Sequence, residues 1–162
     1  EVHFSAGISL QKANTPMVKM AKDAEAALDA SKTTGRNRIT LFGETAAWDD
    51  FAALRKVAKS IEGWRDENLV NNAELFRINR FIGMADLEKI LLAEKEIHLE
   101  DMEALKWRAL FKYSAERNIG KNIKDDAKKA AIREDFDQVA AWLANYGGKL
   151  RIALWNVIYN NR

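Results

Sequence analysis

Cysteine is absent from this chain, which excludes disulfides and thiolate metal sites. The absence fits a reducing compartment, and the chain reads as cytoplasmic. Histidine occurs twice, at His3 and His98, far apart and without ligand-spaced carboxylates, so a histidine metal centre is not expected. A single proline and eight glycines leave no flexible linker and no disordered tail. No apolar run approaches the ~20 residues that cross a bilayer, and no signal peptide is visible. Strong charge of one sign is lacking too. Residues 1–44 carry six Lys/Arg against five Asp/Glu, and the rest carry twenty against nineteen, so no global field marks a nucleic-acid binder.

What is present is a core. Of 162 residues, 48% are hydrophobic, enough to bury one good core or two small ones. The pattern changes near Gly43-Glu44. Before it, strand, helix and strand signals follow one another at 2–10, 16–33 and 38–42. Thr15 suits an N-cap and Pro16 the first helical position. Met17, Met20, Ala21, Ala24 and Leu28 recur at helical spacing, giving one face to a sheet. Gly35 suits the helix stop because it accepts positive φ. Two strands and a helix are marginal alone, so further strands are expected beside them.

After Gly43 strand signals vanish. Six helical stripes follow: Trp48 to Ile61, Leu69 to Ile82, Leu87 to Ile97, Met102 to Tyr113, Ile132 to Leu143, and Leu150 to Tyr159. Gly63, Gly83, Gly120 and Gly147-Gly148 punctuate them. The last stripe is apolar on nearly every side and should be the central helix of an all-α bundle. The five tryptophans fall on these stripes and read as core or subunit contacts rather than base platforms.

The stretch Ser31 to Gly43, S-K-T-T-G-R-N-R-I-T-L-F-G, concentrates the candidate chemistry. Lys32 and Arg36 lie four apart across a helix end, where cations offset the helix dipole or hold a polyphosphate. Asn37 can fix the turn, and Ser5 faces either the sheet core or a ligand. Asp49-Asp50 begin a helix, where carboxylates stabilise the N-terminus, and Asp125-Asp126 and Asp135/Asp137 read as capping or solvated. A basic cluster, Arg117, Lys121, Lys124 and Lys128, followed by Lys129 and Arg133, could touch RNA. Interleaved Glu116, Asp125, Asp126, Glu134 and Asp135 give it the blended charge of a solvated face.

The order F-S-A-G-I (Phe4–Ile8), T-P (Thr15-Pro16), A-E-A-A-L-D-A-S-K (Ala24–Lys32), G-R-N-R-I (Gly35–Ile39) and L-F-G-E (Leu41–Glu44) resembles the second half of a GGDEF-like nucleotide cyclase palm. With a helical tail carrying L-K-W-R-A-L-F-K-Y-S-A-E-R-N-I (Leu105–Ile119) and L-R-I-A-L-W-N-V-I-Y-N-N-R (Leu150–Arg162), it resembles the large signature subunit of type III CRISPR–Cas effector complexes. The palm motif covers about the first quarter of the chain. The resemblance implies an α+β fold, an incomplete ferredoxin-like palm at 1–44 followed by an all-α helical bundle at 45–162. It gives Lys32 and Arg36 the ATP phosphates and leans Ser5 and Asn37 toward the nucleotide. It implies ATP and Mg2+ as ligands of the intact parent, an antiviral cyclic oligoadenylate synthetase and single-stranded DNase.

The family's G-G-D-D hairpin and His-Asp nuclease domain are not in this sequence, so the chain is expected to be a C-terminal piece, inactive alone. Implied partners are the small helical subunit, the backbone subunits, and crRNA and target RNA, with no membrane. A diguanylate-type cyclase using GTP, or a non-catalytic helical scaffold, are the alternatives.

Overall fold

The computed structural model describes residues 3–94, 99–121 and 123–160. Strand β1 (Ala6–Ile8), helix α1 (Met17–Thr33) and strand β2 (Arg38–Leu41) form a crossover unit, and β1 and β2 pair parallel with Gly7 opposite Thr40. A parallel pair cannot be closed by a tight turn, and α1 supplies the long connection. A third strand, β3 (Glu44–Ala47), pairs antiparallel with β2, giving the order β1-β2-β3.

That third strand corrects the expectation that strand structure stops at Gly43. Its signal is hidden because Glu-Thr-Ala-Ala lacks apolar alternation. The turn supplies the missing cause: Phe42 and Gly43 both have positive φ, 56° and 81°, the backbone of a two-residue hairpin. Phe42 is an unusual occupant of that conformation, and its ring stacks on Tyr159 at 5.5 Å.

Strand alternation divides the sheet between two neighbours. Gly7, Thr40 and Thr45 share the face under α1, while Ile39 and Ala46 share the opposite face, where α2 packs. On α1 the expected stripe is rotated. Met17 and Ala21 are exposed, and Met20, Ala24, Ala27 and Leu28 are half-buried, with Ser31 fully buried. The cap also differs: Pro16 is itself the N-cap, with no side-chain bond, and its carbonyl takes the Lys19 and Met20 amides. The Thr15 amide is already turned to the Lys12 carbonyl.

The remaining elements are α2 (Trp48–Asp66), α3 (Asn72–Glu94), a 3₁₀ stretch (Leu99–Lys106), α4 (Trp107–Asn118), α5 (Asp126–Tyr146), a short 3₁₀ turn (Gly147–Lys149) and α6 (Leu150–Asn160). Gly63 lies within α2. Gly83 lies inside α3, so two expected helices are one. A helical glycine costs about 1 kcal/mol, which burial of Leu75, Ile78, Phe81, Ile82, Ala85 and Leu91 along the same helix outweighs. The expected stripe positions Ile97 and, elsewhere, His98 and Arg162 lie outside the described residues.

Helix α6 buries Leu150, Ile152, Ala153, Leu154, Val157 and Ile158 and packs against α2, α3 and α5, the central role its sequence foretold. One continuous core joins these helices and reaches Ala46 of β3. The boundary expected between residues 44 and 45 therefore falls within a strand. Polar contacts reinforce the joint. Arg151 pairs with Glu44 at 2.5 Å, Lys149 pairs with Asp50 at 2.7 Å, and Asp86 accepts the Gly148 amide at 2.8 Å.

Trp64 stacks on Trp142, and Trp107 is buried, in keeping with a packing role. The Trp107 indole N–H donates to Glu88 at 2.8 Å, and Arg108 pairs with the same carboxylate. Burial pushes the Glu88 carboxyl up, but bonds from Arg108 and Trp107, with the charges of Arg108 and Lys89, hold it below its ordinary value of 4.5. Its stabilising contribution is thus complete above pH 4.5 and is lost as pH falls through the lower folded value. Glu88→Gln is expected to lower the thermal midpoint at pH 7 by a few degrees and to narrow that gap below pH 4, as calorimetry across pH would show.

Candidate functional site

The α1–β2 turn is built by local chemistry. Helix α1 ends at Thr33. The Arg36 amide then bonds back to the Ser31 carbonyl at 3.1 Å and the Gly35 amide to that of Lys32 at 3.4 Å, a Schellman ending. Gly35 sits at φ 126° as expected, but the left-handed path continues through Arg36 at 55° and Asn37 at 49°. Asparagine tolerates this conformation, whereas arginine is held in it at a cost of about 1 kcal/mol.

The turn, the end of α1 and the entry to β1 enclose one open hollow of about 790 Å³, lined by His3, Ser5, Leu28, Lys32, Gly35, Arg36 and Asn37. All four nucleotide-site residues singled out from the sequence, Ser5, Lys32, Arg36 and Asn37, are brought together here. Ser5 precedes β1, on the face that carries Gly7, and lines the hollow. Phe4 points the other way, with its ring 4.6 Å from that of Trp48 and its carbonyl taking the Trp48 indole N–H at 3.0 Å, which ties down this entry segment.

None of the lining residues is acidic. The nearest paired carboxylate is Asp29, 3.9 Å from the Lys32 ammonium, with both side chains more than half exposed. The Arg36 side chain makes no hydrogen bond or ion pair among the described residues. Two cations, a hydroxyl and an amide facing solvent suit an anion with several oxygens. Because Asp29 competes for Lys32 only weakly, Asp29→Asn is expected to tighten tripolyphosphate binding by about two- to five-fold, measured by isothermal titration at low salt.

Other candidates fall differently. Asp49 and Asp50 lie in the first turn of α2, and Asp125 caps α5 by accepting the Ala127 and Lys128 amides, as foreseen. The basic residues Arg117, Lys121, Lys124 and Lys128 are exposed, on the end of α4, the following loop and the start of α5. Arg117 donates to the Tyr113 hydroxyl, and Lys121 lines a hollow shared with Asn71, Arg77 and Asn118. Arg133 is turned inward to the carbonyls of Glu116 and Ile119. Among the described residues no three His, Asp or Glu side chains gather as a metal site, and no helix is long and apolar enough to cross a membrane.

Sequence reasoning missed three parts of the site. His3 and Leu28 complete its wall. Gly7 and the hydroxyls of Ser31, Thr40 and Thr45 fix the helix above it. A glycine inside a strand was the one available signal, since it marks close backbone approach. No protein-family model, curated protein or solved structure matches the chain.

Proposed function

We propose that the hollow beside the α1–β2 turn grips the phosphate tail of a nucleoside triphosphate, ATP by preference. In this reading the chain is the C-terminal portion of the large subunit of a type III CRISPR–Cas effector complex. The single observation that carries the reading is the convergence of Ser5, Lys32, Arg36 and Asn37 on one solvent-open, acid-free wall. The motif order in residues 4–44 supplies the family. Lys32 contributes a mobile point charge and Arg36 a planar fork, so successive phosphates are held at separate points.

Strand β1 has a partner on one side only among the described residues, and Phe4, just before it, and Ile8, within it, are 61% and 45% exposed. Both features favour further strands beside β1, completing a ferredoxin-like palm. Mg2+, brought with the nucleotide and held by acidic residues of the other half, would neutralise charge developing during phosphoryl transfer. Residues 45–162 then serve as the docking part, facing the small helical and backbone subunits near the crRNA–target duplex in the cytoplasm.

The whole large subunit, assembled with its partners and crRNA, is expected to convert ATP to cyclic oligoadenylate only when target RNA is present. Lys32→Ala with Arg36→Ala in that assembly should remove the activity. GTP turnover to a cyclic dinucleotide would instead place the chain in a diguanylate-type cyclase. Turnover of neither nucleotide would leave a helical scaffold.

A further inference from the structure

Two residues among those described combine polarity with burial, Ser31 at 0% and Thr40 at 4% exposure, and they touch each other. The Ser31 hydroxyl lies 2.7 Å from that of Thr40, which lies 2.8 Å from that of Thr45, and Ser31 also donates to the Ala6 carbonyl at 2.6 Å. Each hydroxyl has one proton, and a carbonyl only accepts. Once Ser31 gives its proton to Ala6, Thr40 must donate to Ser31 and Thr45 to Thr40. The chain therefore runs in one direction, from β3 through β2 and α1 to β1, and each bond polarises the next.

Its position bears on the hollow. The Ser31 carbonyl receives the Arg36 amide, its hydroxyl holds Ala6 next to Ser5, and Lys32 is its neighbour in the chain. One buried residue thus joins both cations to the opposite wall: its backbone carbonyl holds the Arg36 amide, and its hydroxyl ties the end of α1, with Lys32, to β1. Apolar residues of like shape at Ser31, Thr40 and Thr45 together would pack there with no hydroxyl to desolvate, so bare stability does not call for this chain, although removing Ser31 alone leaves the buried Thr40 hydroxyl short of an acceptor.

We infer that Ser31 is a positioning residue, setting the spacing of Lys32 and Arg36 across the hollow so that it selects linked phosphates over single ones. This rests on the phosphate-binding reading above. The test is titration of the 162-residue chain with tripolyphosphate and, separately, with orthophosphate, followed by amide chemical shifts. Ser31→Ala should weaken tripolyphosphate binding by roughly five- to ten-fold while leaving orthophosphate binding within about two-fold.

Thr40→Ser, which keeps a hydroxyl in line, should preserve the preference for the longer anion. Val139→Ala, a cavity in the distant helical core, provides a variant of lowered thermal midpoint whose preference should be unchanged. An unaltered tripolyphosphate-to-orthophosphate ratio in Ser31→Ala overturns the inference, as does an equal fall in that ratio for Val139→Ala. If the unaltered chain binds neither anion, the phosphate reading itself is overturned and the inference with it.

Discussion

Lys32→Ala combined with Arg36→Gly is expected to weaken tripolyphosphate binding by about a hundred-fold or more while the thermal midpoint stays level or rises. Two charge-assisted contacts are removed, and each is worth about 1.5–3 kcal/mol when made to an ionic ligand. The stability side is the informative half. Lys32 loses only a 3.9 Å pair with an exposed Asp29, a contact of little value in water. Arg36 occupies φ 55°, where glycine is comfortable and arginine is not. The phosphate-binding proposal gives a reason for keeping arginine in this conformation at a solvent-facing hollow. A drop of more than about 5 °C in the double variant would show instead that these cations hold the fold together.

Gly7→Ala is expected to damage the fold and the hollow together. A Cβ on Gly7 would stand 2.6 Å from the Ala27 carbonyl carbon and the Leu28 Cα, and closer still to the Leu28 amide nitrogen. These are backbone atoms of α1, which cannot step aside as a side-chain tip can. The helix must lift from β1, breaking the Ser31–Ala6 bond at 2.6 Å and moving Lys32 off the wall. The expected cost is about 3 kcal/mol or more, read as a fall in the denaturation midpoint with an unchanged slope. Gly43→Ala is the contrast. No atom lies within 4 Å of the added carbon, so only the backbone cost of φ 81° is felt, about 1 kcal/mol.

The contrast between these glycines shows what the residues reveal on their own. The helix stop at Gly35, the acidic first turn of α2, the Asp125 cap and the buried α6 all follow from local rules, and each was legible. Ser5, Lys32, Arg36 and Asn37, chosen from the sequence, line one hollow, since the parallel pairing of β1 and β2 brings the entry of one strand beside the turn into the other. What stayed hidden depends on tertiary approach. Strand β3 has no alternation to announce it. Its turn places Phe42 at positive φ with its ring stacked on Tyr159, over a hundred residues away, and its Ala46 is buried in the helical core, contacts no local pattern announces. Gly83 was read as a break, yet burial on both sides of it keeps α3 continuous. The face of α1 turned because its contact is backbone on backbone at Gly7, which favours Ala27 and Ser31 over Met17. The basic residues at 117–128 straddle the end of α4, a loop and the start of α5, so no single helical face carries them.

The most direct measurement is an amide chemical-shift titration of the chain with tripolyphosphate at low ionic strength. Saturable changes should concentrate on Ser5, Lys32, Gly35, Arg36 and Asn37 and fade as salt is raised. Shifts centred on Arg117 to Lys128, or scattered over every exposed cation, would contradict the phosphate-gripping hollow.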